Sequence, residues 1–417
     1  MSGVLRALWL LWITVVSLSA QPVARFIDPA ATDSAIDQWL DPHVVYYDPS
    51  IPHRQQLFVF LPGSFGQPRR CQHLLRIAAE LGFHVIGLGY PNSWTVHSLC
   101  SESPDSTCHF KVRFEIVEGV DLSPLVDITP ANSIHNRLRA LLQYLVQHFP
   151  DEGWEQFLSE DGDIRWERIL IGGHSQGGGH AALIGKYYRV ARVLMFAWSD
   201  LWKENGQWRL APWVDSLNAT PTDAFIGITH VEDALAARLA TWRRMGLAQF
   251  GPPVLVDTVP PPYYHSHQLL TNVTPARSGA YHGSVVTDHA TPLDSNGVPI
   301  LAPVWRYMLL GDATMVPTSG ESTFASSLST ARIVRIGSPL PLPSPLPPQS
   351  VIELWSPIGQ RFLLLLPRTS GTAASGAVWH WTGRDFAGTP IPPGLYFLRI
   401  LTPQQTVVQQ QVILWLP

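Results

Sequence analysis

Ile169-Leu170-Ile171-Gly172-Gly173-His174-Ser175-Gln176-Gly177-Gly178-Gly179-His180-Ala181-Ala182-Leu183 leads from an apolar run through Gly-x-Ser-x-Gly into an alanine-rich helical pattern. The stretch predicts a strand, a sharp turn and a helix. Such a turn forces its central residue into an unfavourable backbone conformation and brings neighbouring segments very close, so glycine is required at 173 and 177. Ser175 is then lifted clear of the sheet edge. The Gln176 amide is free to face a developing oxyanion, and the helix directs its positive N-terminal end to the same place.

Apolar runs recur to either side. Leu57–Leu61 is continuous enough for a strand buried on both faces, and it ends in Pro62-Gly63-Ser64-Phe65-Gly66. The Ser64 amide there is the candidate second oxyanion donor, with Phe65 next. Val44–Tyr47 reads as an edge strand. His73–Leu81 has helical spacing and stops at Gly82, Phe83–Leu88 is a further strand, and Leu138, Leu141, Leu142 and Leu145 mark one face of a helix over 134–149. Strands follow at 190–197, 224–229 and 253–257, with helices at 234–245 and 304–310. Alternation of this kind predicts an α/β domain with a mainly parallel, doubly wound sheet. The stretches 92–130 and 200–220 are natural places for a cap.

On Gly173-His174-Ser175-Gln176-Gly177 and Leu61-Pro62-Gly63-Ser64, residues from about 40 to 315 resemble an α/β-hydrolase-fold serine hydrolase. The Pro-Gly-Ser loop departs from the His-Gly-Gly-Gly type of many lipases and esterases, which leaves the second oxyanion amide open. The resemblance implies a nucleophile, an acid and a histidine in that order. A serine hydroxyl is a poor nucleophile until an imidazole, steadied by a carboxylate, takes its proton. Asp233, just past a strand end, is the expected acid, with Glu232 beside it and Asp200 after the preceding strand as alternatives. His282, between Tyr281 and Gly283 and ahead of an apolar run, is the expected base. His289, His265 and His267 also satisfy the order. His174 and His180 flank the turn without a third ligand at useful spacing, so no metal is expected, and His174 is read as supporting the turn or lining the pocket. The implied reaction is hydrolysis of a carboxylic ester, small or lipid-like, through an acyl-enzyme on Ser175, with the amides of Ser64 and Gln176 as oxyanion hole and no cofactor. A peptidase or amidase of the same fold, or a binding or adhesion protein on this scaffold, are the alternatives.

Of the 417 residues, 46% are hydrophobic and 14% charged, and the net charge of −4 gives no electrostatic reason to expect a nucleic-acid partner. Arg6, the apolar run from Ala7 to Val16, and the small residues Ser17, Ser19 and Ala20 have the layout of a secretory signal cleaved near residue 20. The run is too short for a stable membrane span. A secreted protein is expected, whether extracellular, cell-surface or periplasmic. Cys100 and Cys108 enclose a polar loop that a disulfide could close in such a compartment, with Cys71 left over, although sequence leaves the pairing open.

Pro339–Pro348 is proline-dense and reads as a stiff linker. Beyond it, strand-like runs at 351–355, 361–366, 378–382, 394–401 and 406–416 suffice for a small β-sandwich. Trp379-His380-Trp381-Thr382-Gly383-Arg384-Asp385-Phe386-Ala387-Gly388 and Pro393-Gly394-Leu395-Tyr396-Phe397-Leu398-Arg399 resemble the Ig-like module of flagellar hook-capping proteins and the sorting domains of some secreted bacterial enzymes. That resemblance implies contact with export or cell-surface machinery. The expected division is a signal peptide at 1–20, an α/β-hydrolase domain at 21–337, a linker at 338–349 and an all-β Ig-like module at 350–417.

Overall fold

The computed structural model describes residues 22–216, 218–311, 332–334, 351–355, 361–364, 384, 390–391, 394–401 and 407–415. The expected signal segment, the proline tract and the run at 378–382 lie outside them. The chain divides into two units, the first carrying β1–β11 and α1–α8, the second β12–β16.

In chain order the strands of the first unit are β1 (Val23–Ile27), β2 (His43–Tyr47), β3 (Leu57–Leu61), β4 (His84–Gly87), β5 (Ile169–His174), β6 (Arg192–Phe196), β7 (Leu201–Glu204), β8 (Gln207–Leu210), β9 (Phe225–His230), β10 (Val254–Leu255) and β11 (Gln268–Thr271). The helices are α1 (Pro29–Thr32), α2 (Gln72–Glu80), α3 (Val96–Cys100), α4 (Cys108–Glu118), α5 (Ile134–His148), α6 (Gln176–Tyr187), α7 (Leu235–Arg244) and α8 (Ala302–Leu310). Nine strands form one sheet in the order β1-β2-β4-β3-β5-β6-β9-β11-β10, in which only β2 runs against the rest; β7 and β8 make a separate hairpin.

The central strands carry largely apolar, buried runs because both faces of the sheet are covered. Leu57, Val59 and Leu61 of β3 and Ile169 and Ile171 of β5 join a core with Leu138, Leu141 and Leu142 of α5, Val112 of α4 and Ala181 of α6. Phe58, Phe60 and Leu170 point the other way and meet Leu74 and Leu75 of α2 and Trp305 of α8. This large, mostly parallel sheet with helices on both faces fits the α/β-hydrolase fold, and the loops at the carboxyl ends of its parallel strands are where such a fold places its site.

Five elements differ from the sequence reading. β2 is interior, and the edge place expected of it is taken by β1, whose half-exposed residues give no apolar run. β10 shrinks to two residues at the far edge, while β11, too short to show a period, inserts between it and β9. The stretch at 92–130 contains the eleven-residue helix α4, which lacks an apolar stripe because His109, Arg113 and Glu115 are buried along with Val112 and Ile116.

In the second unit, β12 (Arg332–Val334), β13 (Val351–Trp355), β14 (Arg361–Leu364), β15 (Gly394–Leu401) and β16 (Val407–Trp415) form a five-stranded sheet in the order β12-β16-β15-β13-β14. β12 precedes the proline tract in sequence yet pairs in parallel with β16.

Candidate active site

β5 ends at His174, and Ser175 turns the chain into α6 with φ 52° and ψ −116°, a conformation that side chains bearing a Cβ rarely adopt. The crowding predicted around it is present. A Cβ on Gly173 would lie 2.3 Å from the Gly177 carbonyl carbon, and one on Gly177 would lie 2.1 Å from the Leu61 carbonyl oxygen. These glycines let the turn nest against the end of β3.

Asp233 follows β9 and His282 lies in the loop after β11, and the two meet: His282 Nδ1 donates to Asp233 Oδ2 at 2.8 Å. Arg238, in the first turns of α7, donates from Nη2 to the same oxygen at 3.2 Å and from Nη1 to Ser199 Oγ. Burial pushes the Asp233 carboxyl up, but the hydrogen bond and charge of His282, with the charge of Arg238, outweigh it and hold the pKa at about 2. Asp233 is therefore ionised at neutral pH. Nothing in the sequence drew attention to Arg238, although its place one turn beyond Asp233 on a helical pattern was a usable signal.

The alternatives stand elsewhere. Asp200 is buried behind the turn, receiving Arg113 Nε and Nη2 at 2.7 and 2.6 Å and the indole N–H groups of Trp198 and Trp213. Its carboxyl is held far below the usual range by Arg113 in spite of burial. Glu232 is exposed. His289 is exposed at the rim of the cavity, and His267 donates from Nδ1 to the Phe225 carbonyl.

The loop carrying His282 is fastened at three points. His174 donates from Nε2 to the His282 carbonyl at 2.9 Å. Burial, reinforced by the charge of His282, lowers the His174 pKa to about 3, so this ring stays neutral and keeps one ring N–H as donor. Asp288 caps α2 through the amides of Gln72 and His73, and Trp305 Nε1 donates to the Val285 carbonyl.

Ser175, His282, Ser64 and Gln176 line one cavity of about 930 Å³. The Phe65 amide is taken by the Asn92 carbonyl at 2.7 Å, whereas the amides of Ser64 and Gln176 donate no hydrogen bond among the described residues. Gln176 opens α6, where an amide has no intrahelical acceptor. Its side-chain oxygen accepts from Ser64 Oγ at 2.9 Å and from the Val96 amide at 3.0 Å, fixing the Ser64 loop against the start of the helix. Arg113 Nη1 donates to the Gln176 carbonyl at 2.9 Å. Among the described residues no group of three or more His, Cys, Asp or Glu side chains is placed to hold a metal ion.

No family model matches this chain, and no curated protein matches it. Solved structures do. The TT1662 protein of Thermus thermophilus is 16% identical with a TM-score of 0.32, the match covering 63% of this chain and 91% of that one. Acetyl xylan esterase from Aspergillus awamori is 11% identical at 0.28, over 46% and 60% of the two chains. Inhibited esterase B from Lactobacillus rhamnosis is 16% identical at 0.22, over 39% and 40%.

Proposed function

We propose that this protein is a serine hydrolase that cleaves carboxylic esters. The observation that carries the reading is the strained Ser175 facing the same cavity as an imidazole whose other nitrogen is bonded to a half-buried, ionised carboxylate. Ser175 Oγ attacks the ester carbonyl and its proton passes to His282 Nε2. Asp233 fixes the ring with Nδ1 protonated and steadies the imidazolium. The amides of Gln176 and Ser64 receive the negative charge on the former carbonyl oxygen. The proton then leaves on the departing alkoxide, giving an alcohol and an acyl-serine. Water, deprotonated by His282, splits that acyl-serine to the acid and free Ser175. The Cys100–Cys108 disulfide supports maturation in an oxidising compartment, and no helix among the described residues is long and apolar enough to cross a membrane. We assign the chemistry to the first unit and an attachment or export role to the C-terminal sheet.

A fluorophosphonate probe tests the nucleophile. Wild type should be labelled and should hydrolyse 4-nitrophenyl esters; Ser175→Ala should do neither while unfolding at an unchanged temperature. Folded wild-type protein that stays unlabelled and inactive on these esters sinks the proposal.

A further inference from the structure

We infer that the ester accepted by this cavity carries an anionic group, a carboxylate a few carbons from the reacting carbonyl, and that Arg70 receives it. The inference rests on the esterase reading above. Among the described residues lining the cavity are three guanidinium groups, Arg70, Arg113 and Arg238, against one carboxylate, Asp200. Arg113 and Asp200 form a bidentate pair with both side chains 2% exposed, so they cancel each other inside the wall. Arg238 is bonded to Asp233 and is offset in the same way.

Arg70 is the charge left over. It is exposed, and no side-chain hydrogen bond or ion pair holds it among the described residues. Its backbone is nonetheless fixed, since its amide donates to the Gln67 carbonyl and its own carbonyl accepts from the Asp288 amide. The Asp288 carboxylate is occupied with the Gln72 and His73 amides at the start of α2. The other titratable groups at the rim, His97 and His289, add positive charge or none.

A concave site with walls of low dielectric focuses such a charge, and a cavity of this volume is about one Debye length across at physiological salt, so screening inside it is incomplete. A guanidinium fork matches a carboxylate through two parallel hydrogen bonds. Pro62, Phe65, Val96 and Ala237 add apolar surface to the same lining, which suits a methylene chain. The site thus has the parts for a half-ester of a dicarboxylic acid, and it holds no uncompensated anion to welcome a cationic one.

The test compares 4-nitrophenyl butyrate with mono-4-nitrophenyl glutarate, which differ chiefly in a terminal carboxylate, on the full-length protein at low salt. Wild type should show a kcat/KM for the glutarate about tenfold or more above that for the butyrate. The ratio should shrink in 1 M NaCl. It should collapse toward one in Arg70→Ala and be partly restored in Arg70→Lys. Wild type that hydrolyses the butyrate at least as well as the glutarate, or an Arg70→Ala variant that keeps the wild-type ratio, overturns this inference while leaving the esterase reading intact. Folded wild type that hydrolyses neither ester overturns both.

Discussion

Asp233 and Asp200 both follow parallel strands and both meet an arginine, yet their surroundings differ. Asp233 keeps 13% of its side chain exposed and shares one oxygen between His282 and Arg238. Asp233→Asn should lower kcat roughly a thousandfold or more, since the amide favours the wrong imidazole tautomer, with a smaller effect on stability. Asp200→Asn should do the reverse, because it leaves the buried Arg113 guanidinium uncompensated; a loss of about 3–5 kcal/mol in denaturant unfolding is expected. Kinetics and unfolding measured on the two variants decide between these assignments. A third variant tests the packing. Gly177→Ala puts a methyl group into the Leu61 and Pro62 carbonyls and should destabilise by about 3 kcal/mol or more, whereas alanine at Gly206, where nothing lies within 4 Å, meets no steric obstacle, although its φ of 78° still favours glycine.

At the level of elements, the sequence was most legible where both sheet faces are buried. β3 is apolar from end to end, β5, β6 and β9 carry apolar runs over most of their buried lengths, and α5 shows its stripe, because each buries a continuous surface. β1, β10 and β11 were hidden by brevity or edge position, and α4 by the polar pairs it buries. For the candidate site, the turn at Ser175 and the loops bearing Asp233 and His282 could be named from chain order, and Arg238 from its helical spacing to Asp233, whereas Arg113 and the bridging Gln176 side chain depend on contacts between distant segments that no spacing discloses. The disulfide lies between α3 and α4, and beside it the Lys203 amide of the β7–β8 hairpin donates to the Ser101 carbonyl. Closing so short a loop contributes about 2.5 kcal/mol by the chain-entropy estimate. Replacing both cysteines by serine should lower stability by about that much. Because Leu201 and Trp208 of the hairpin line the cavity, KM should rise more than kcat falls.

For the whole molecule, acid stability follows from buried imidazoles. Burial depresses the pKa of His43 and His174 to about 3 and of His84 to about 4, and lowers those of His109 and His180 as well. The unfolded chain takes up protons at these positions near pH 6.5, the folded one only at lower pH. Stability is therefore intact above about pH 6.5 and is lost as pH falls toward the folded values, by on the order of 2 kcal/mol for each fully depressed histidine by pH 5. His135 acts in the opposite sense: burial alone would lower its pKa, but bonds to Glu118 and Asp163 raise it, so it stabilises at acid pH and ceases to do so as pH rises through its folded value. The histidines held neutral outnumber it. Thermal unfolding followed from pH 8 to 5 should show a steep fall below 6.5; a flat profile would contradict the neutral buried rings.

The backbone at Ser175 also has a bearing on how well this fold tolerates being emptied of its chemistry. A residue with a side chain is held there at a φ and ψ that glycine adopts freely, a strain of about 1–3 kcal/mol. Ser175→Gly should consequently melt above wild type, and Ser175→Ala should not. Heat resistance gained by deleting the hydroxyl together with its Cβ would measure how much folding stability is forgone to keep a serine in that place.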